Sequence, residues 1–180
     1  MKNYILRFTK RSKRKISAKE CFFSGIKALI TITAISAIGY YSNHELVIAP
    51  FATSCLMVFS RPEDDVAQPM NIIGGYFIAS VIGVIASYIF PHAWWVLGIS
   101  LATTIYAMYY FRVTHPPAGA VPFIIYLHHT DAYLRTTADI KFILYPTLAG
   151  SICIVLLATI LNLLPFAKRE YPRKKDPQNI

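Results

Sequence analysis

Charge is what this sequence has least of. Only 15% of its 180 residues are Asp, Glu, Lys or Arg, where a soluble domain carries about 25%. The deficit is concentrated: no charged residue stands between Val66 and Phe111, and none between Phe142 and Ala167. Either run exceeds the roughly 20 apolar residues that a spanning helix needs. A soluble globular domain is therefore excluded, and an integral membrane protein is expected. Cysteine is also scarce. Cys21, Cys55 and Cys153 are isolated, with no CxxC pair, which points to neither a disulfide framework nor a metal site. The apolar runs hold no acidic pair, no Ser–His arrangement and no HExxH, so neither an enzyme nor a cofactor is expected. No small-residue cleavage site follows the basic N-terminal stretch, so the first apolar segment is read as retained.

What charge there is sits at the ends. The net charge is +9. Lys2, Arg7, Lys10, Arg11, Lys13, Arg14, Lys15 and Lys19 precede the first apolar segment, and Lys168, Arg169, Arg173, Lys174 and Lys175 follow the last. Basic ends beside apolar spans mark the cytoplasmic side and favour anionic lipid headgroups, not nucleic acid. The expected layout is a basic cytoplasmic tail over 1–20, a transmembrane domain over 21–165 and a second basic cytoplasmic tail over 166–180. In a bacterium the protein would lie in the plasma (inner) membrane.

Four full spans are expected, at about 22–41, 71–90, 93–111 and 142–164. Lys27 falls inside the first. A lysine near a helix end snorkels to the headgroups; the alternative is an inward contact with an anion. Trp94, Trp95, Tyr106, Tyr109 and Tyr110 suit interfacial belts, and His92 reads as a turn residue. His128 and His129 are adjacent and so point to different sides of a helix, which makes a poor metal pair. Two apolar pieces are too short to span as helices. Leu46 to Ser60 is 15 residues, about 22 Å at 1.5 Å per residue, against a hydrocarbon core of about 30 Å. Val121 to Leu127 is shorter still. Both are read as re-entrant, proline-started segments. Six crossings would also bring the termini to one side, and the positive-inside rule favours them, but segment length favours four. Pro50 and Pro117 stand 67 apart, as do Gly83 and Gly150. The fold class is thus an all-α membrane protein with four transmembrane helices, two short re-entrant segments and a two-fold internal pseudo-repeat.

The stretch Arg112-Val113-Thr114-His115-Pro116-Pro117-Ala118-Gly119-Ala120 interrupts the apolar sequence with an imidazole, paired prolines and small residues. Proline suits the first turn of a helix. If Pro117 starts a half-helix, the amides of Ala118, Gly119 and Ala120 lack intrahelical acceptors and carry the positive end of the helix dipole. That is a generic anion site, to which a half-helix starting at Pro50 would add Phe51, Ala52 and Thr53. His115 could add a hydrogen bond or couple a proton, and Arg112 could attract anions at the mouth. Alternatively, Pro116 and Pro117 start a packed helix, His115 caps it, and the glycines serve close packing.

His115-Pro116-Pro117-Ala118-Gly119-Ala120, with Ala67-Gln68-Pro69, Asn71 and Gly74-Gly75 upstream, resembles the HPP family of integral membrane proteins over about residues 20–165. The resemblance implies four transmembrane helices, adds Asn71, Gly74 and Gly75 to the candidate substrate site, and implies nitrite through its plastid and cyanobacterial relatives. Met70 stands where the family often has Arg, and Tyr76 where His often follows the paired glycines; both remove potential anion partners. The expected function is transport or channelling of a small inorganic anion. The alternative is a non-transporting scaffold or sensor subunit. Four spans are few for a transport path, so membrane lipids and a second copy of the chain are the expected partners.

Overall fold

The computed structural model describes residues 16–128, 140–164 and 170–173. The N-terminal basic stretch up to Lys15, His129 with the connection 130–139, and the basic residues 168, 169, 174 and 175 lie outside the described residues, as does the His128 side chain. The regular structure among the described residues is helical. Helix α1 spans Ala18–Ser42, α2 Pro50–Ser60, α3 Pro69–Ile89 and α4 Trp94–Tyr110. A short 3₁₀ turn, Pro116–Ala120, runs into α5, Val121–His128. Helix α6 spans Ile140–Leu163. Three of these, α1, α3 and α6, are long and apolar enough to cross a membrane; α4 has 17 residues.

Local chemistry explains the boundaries. Ser17 and Glu20 bond each other's backbone at the start of α1, a capping box. Prolines begin α2, α3 and the 3₁₀ turn, where the missing N–H is no loss. Helices α1 and α4 end alike. Asn43 and Arg112 adopt left-handed φ values of 54° and 56°. The amides that follow, His44 and Val113, reach back to Gly39 O and Met108 O, the pattern of a Schellman cap. In α6 the segment Ile143–Gly150 is a π-helix containing Pro146. Proline cannot donate into the ladder, and the hydroxyl of Thr147 stands 3.3 Å from the Phe142 carbonyl.

Contacts assign each segment an end of the bundle. At the proximal end, where α1 begins, Ser24 donates to Phe59 O of α2 and Lys27 to Asn162 of α6. There too, Arg173 beyond α6 bonds Gln68 and Asp65 before α3. At the distal end, the His44 ring lies 3.9 Å from that of Tyr145 at the start of α6. Tyr126 of α5 donates to Ala93 O between α3 and α4. Tyr171, beyond α6, is buried in the core, which pushes its hydroxyl pKa up.

The short segments differ from the re-entrant expectation. The chain leaves α1 at the distal end and meets Gly150, midway along α6, through the Leu46 carbonyl and the Phe51 ring. It then finishes α2 at the proximal end. The second segment begins proximally, where Val113 and His115 press on Gly74 and Gly75, passes Gly83 with Pro122, and ends distally at Tyr126. Neither turns back. Length alone misjudges them because only part of each is helical. Residues 45–48 lie outside any helix or turn, and extended backbone advances about 3.3 Å per residue against about 1.5 Å in a helix, so a residue count converted at the helical rise understates the reach.

The outward faces are apolar, with Leu29, Ile89, Ile105, Leu156 and Ile160 exposed. Trp94 and the group Tyr106, Tyr109 and Tyr110 are exposed at opposite ends of α4, as interfacial anchors would be. An end-to-end path for 43–60 has a direct check. In a background lacking Cys21, Cys55 and Cys153, Glu45→Cys and Asp64→Cys should react with an impermeant maleimide from opposite sides of sealed vesicles. Labelling of both from one side would restore the re-entrant geometry.

Candidate functional site

Small residues on α3 open the space for the site. The buried face of this helix runs Ile72, Gly75, Tyr76, Ala79, Ser80, Gly83 and Ala86, a stripe that lets other backbones approach. A Cβ at Gly75 would stand 2.7 Å from His115 Cβ, and one at Gly83 would stand 2.9 Å from Pro122 Cα. These glycines hold the second broken segment against α3.

His115 is thereby placed in the interior with 0% of its surface exposed. Its Nδ1 lies 2.7 Å from Val66 O, and its Nε2 lies 2.7 Å from Ser54 Oγ on α2. Ser54 Oγ is also 2.7 Å from the Tyr76 hydroxyl on α3 and 3.4 Å from Pro50 O. Ser54 and Tyr76 are fully buried, and the Phe51 ring meets Tyr76 edge-on at 5.0 Å. Three segments therefore meet at one polar point, about 10 Å inside the proximal end at 1.5 Å per residue along α3.

The donors in this chain can be assigned. A carbonyl only accepts, so Nδ1 carries a proton and donates to Val66 O. In a neutral imidazole Nε2 is then an acceptor, Ser54 donates to it, and Tyr76 donates to Ser54. Protonating Nε2 reverses the Ser54 bond: the imidazolium donates to Ser54 Oγ, whose hydrogen must turn to Tyr76 or to Pro50 O. One proton at His115 thus changes the bonding of α2, and that of α3 as well when the hydrogen turns to Tyr76.

The residues expected at the site separate. His115, Pro117, Ala118 and Pro50 are buried at or beside this point, while Pro116, Ala120 and Arg112 are exposed. A Cβ on Gly119 would meet only Leu101 Cδ1, at 3.4 Å. Asn71 turns away, its Nδ2 donating to Asp65 O at 2.7 Å, and so it pins the loop before α3. The amides offer less than expected. Ala118 N–H donates to His115 O at 3.0 Å, and on the other segment Phe51 N–H and Ala52 N–H donate to Ile48 O and Ala49 O. Local turns have closed these donors, which moves the available chemistry to side chains.

Two participants, Ser54 and Tyr76, were not assigned a role from sequence. The signal for Ser54 was its place four residues after Pro50, on the same helical face. Tyr76 registered only as a departure after the paired glycines. A Ser–His contact does exist, across 61 residues, where local spacing shows none.

Lys27 also departs from expectation. It is 4% exposed and bonds Asn162 Oδ1 at 2.8 Å, so it faces the interior and does not snorkel to lipid.

A family model described as HPP, transmembrane region, matches residues 13–172. The chain belongs to the HPP family of transmembrane proteins. It is similar to a transmembrane protein of Dictyostelium discoideum, 30% identical over 155 residues, covering 83% of this chain and 52% of that protein. A second transmembrane protein of the same organism is 25% identical over 187 residues, covering 96% of this chain and 58% of the relative. The chain therefore spans little more than half the length of these relatives. No solved structure matches it. With the family established and three helices able to span, this is an integral, multi-pass membrane protein.

The close approaches predict stability. Gly75→Ala and Gly83→Ala should each lower stability in detergent by about 1–3 kcal/mol through overpacking. Gly98→Ala, with open space around it, should leave stability unchanged or slightly raised, because alanine is the better helix former. Thermal unfolding of the purified variants checks both.

Proposed function

We propose that this HPP protein transports a small monovalent anion, with nitrite the first substrate to test, and that His115 couples a proton to the movement. The observation that carries this reading is the buried Tyr76–Ser54–His115 chain, which joins the two broken segments to each other and to α3. Ionisable residues inside a membrane bundle are costly, and they mark ion and proton routes. Broken helices that meet in a bundle interior are the usual setting for transported ions.

Internal symmetry supports the same reading. Two units of three segments each, α1–α2–α3 and α4–α5–α6, follow one plan: a left-handed cap, an irregular run, a proline-started helix, then a long helix. Ser80 and Thr147, 67 residues apart, are both fully buried, and their hydroxyl oxygens lie 3.4 Å apart. Residues that touch their own equivalents lie on a two-fold axis. Three crossings per unit would make such a repeat inverted, as in many transporters. The proximal end, which carries Lys19, Arg61, Arg112 and Arg173, would then be cytoplasmic under the positive-inside rule.

The Ser–His contact also invites a hydrolytic reading. Here Nδ1 rests on a neutral carbonyl, whereas a triad places a carboxylate there to stabilise the imidazolium. Transport is the better fit.

Nitrite uptake into proteoliposomes is the test. The wild-type chain should exceed empty vesicles, and an inward proton gradient should accelerate it. His115→Ala should cut uptake at least tenfold while folded protein survives. It will also lose stability, because Val66 O and Ser54 each lose a partner worth about 1–3 kcal/mol when buried. Tyr76→Phe, which spares the Ser54–His115 bond, should slow uptake only several-fold. Folded wild-type protein with no uptake of nitrite, nitrate or chloride defeats the proposal.

A further inference from the structure

We propose that the segment Tyr171–Arg173 is a releasable strap on the loop 61–68, latched by Arg173 on Asp65. Docked, it holds that loop closed on His115; released, it lets the loop open at the proximal end. The strap rests on the geometry of the loop and not on what the protein moves.

The loop before α3 is laced from within. Gln68 Nε2 donates to Pro62 O at 2.9 Å and to Asp64 O at 3.0 Å. Both partners only accept, so the amide orientation is fixed and Oε1 is left as the acceptor. Backbone turns add Asp64 N–H to Arg61 O, Ala67 N–H to Asp64 O and Gln68 N–H to Asp65 O. The loop thus moves as a unit. It carries Val66 O, which accepts from His115 Nδ1 at 2.7 Å.

The strap supplies the outer lacing. Arg173 N–H donates to Gln68 Oε1 at 2.9 Å, its Nη1 donates to Glu63 O at 3.4 Å, and its Nη2 lies 2.8 Å from Asp65 Oδ1. Two residues earlier, the Tyr171 ring is 3% exposed and packs in the core. One short segment therefore grips the loop on three of its residues and seats an aromatic anchor beside it.

Two features mark the grip as reversible. The Arg173 and Asp65 side chains are 51% and 75% exposed, and pairs so exposed are weak and screened by salt. The Tyr171 hydroxyl is buried without a hydrogen-bond partner, a costly state that release into water would relieve. A segment held by an exposed latch, with an unmet polar group in its seat, belongs to the part of a structure that opens before the rest unfolds. On release Gln68 Oε1 and the carboxylate of Asp65 each lose a partner, and the hold on Val66 O loses its outer support.

Hydrogen exchange of the purified full-length chain in detergent, read by mass spectrometry on peptides covering 61–70, tests the strap. Arg173→Ala should speed exchange there by about two- to fivefold, the range for an exposed pair, with peptides of α3 and α6 unchanged. Raising sodium chloride from about 0.1 M to about 1 M shortens the screening length from about 10 Å to about 3 Å. It should speed exchange in the wild-type chain and not in Arg173→Ala. Exchanging the charges, Asp65→Arg with Arg173→Asp, should restore the slow rate that either single change loses. Tyr171→Phe, which removes the unmet hydroxyl, should slow exchange several-fold. Wild-type exchange in Arg173→Ala overturns the proposal, as does an increase shared equally by α3 and α6, which marks general destabilisation. Faster exchange in Tyr171→Phe overturns it too, since the hydroxyl would then be securing the segment. Salt-dependent release in protein that moves no nitrite would support the strap while removing the transport reading.

Discussion

Backbone that leaves helical geometry inside a bilayer must find its hydrogen bonds within the protein, because the lipid supplies none. That constraint organises this bundle. Two runs of the chain, 43–49 and 113–115, leave helical geometry between the helices of the bundle, each with residues buried in it. The exposed carbonyls and amides are met one by one. His115 takes Val66 O, Ser24 takes Phe59 O, Asn162 takes Val58 O, and Tyr126 takes Ala93 O. Local turns close the first amides of α2 and of the Pro116–Ala120 turn. Most of the buried polar side chains that look functional are therefore also structural, and the question for each is what remains after its backbone duty is done.

For His115 what remains is Nε2, the nitrogen that faces Ser54. For Thr31 it is a buried hydroxyl with no hydrogen-bond partner. Asn71 has its amide nitrogen committed to the loop carbonyl of Asp65. Gly74 and Gly75 act by having no side chain, since any Cβ there would press on Val113 or His115.

Much of the fold was legible because its signals are local. The uncharged run from Val66 to Phe111 located α3 and α4 to within two residues at each end, and Pro50 announced a helix start. The site was legible only in part. His115 stood out by its composition, but its partners lie 49 and 61 residues away, and no spacing rule links positions at such separations. Lys27 shows the same limit. Sequence gave its depth in the span, while the direction it faces depends on Asn162, 135 residues on. The short segments were misjudged for a different reason: converting residues to length requires a conformation, and extended backbone advances about twice as far per residue as helix.

Helix α2 ties these points together. It has 11 residues, too few to stand alone in a membrane, and it is held at both ends by different elements. Phe51 packs on Gly150 of α6, Ser54 bonds His115, Val58 O accepts from Asn162, and Phe59 O accepts from Ser24 of α1. Hydrogen bonds are short and directional, so α2 cannot slide by a fraction of a turn without breaking several at once. It can only exchange one set of partners for another, as bistable elements do. Protonation of His115 reverses the bond at Ser54, and Val58, one turn along the same helix, is the carbonyl that orients Asn162 and through it Lys27.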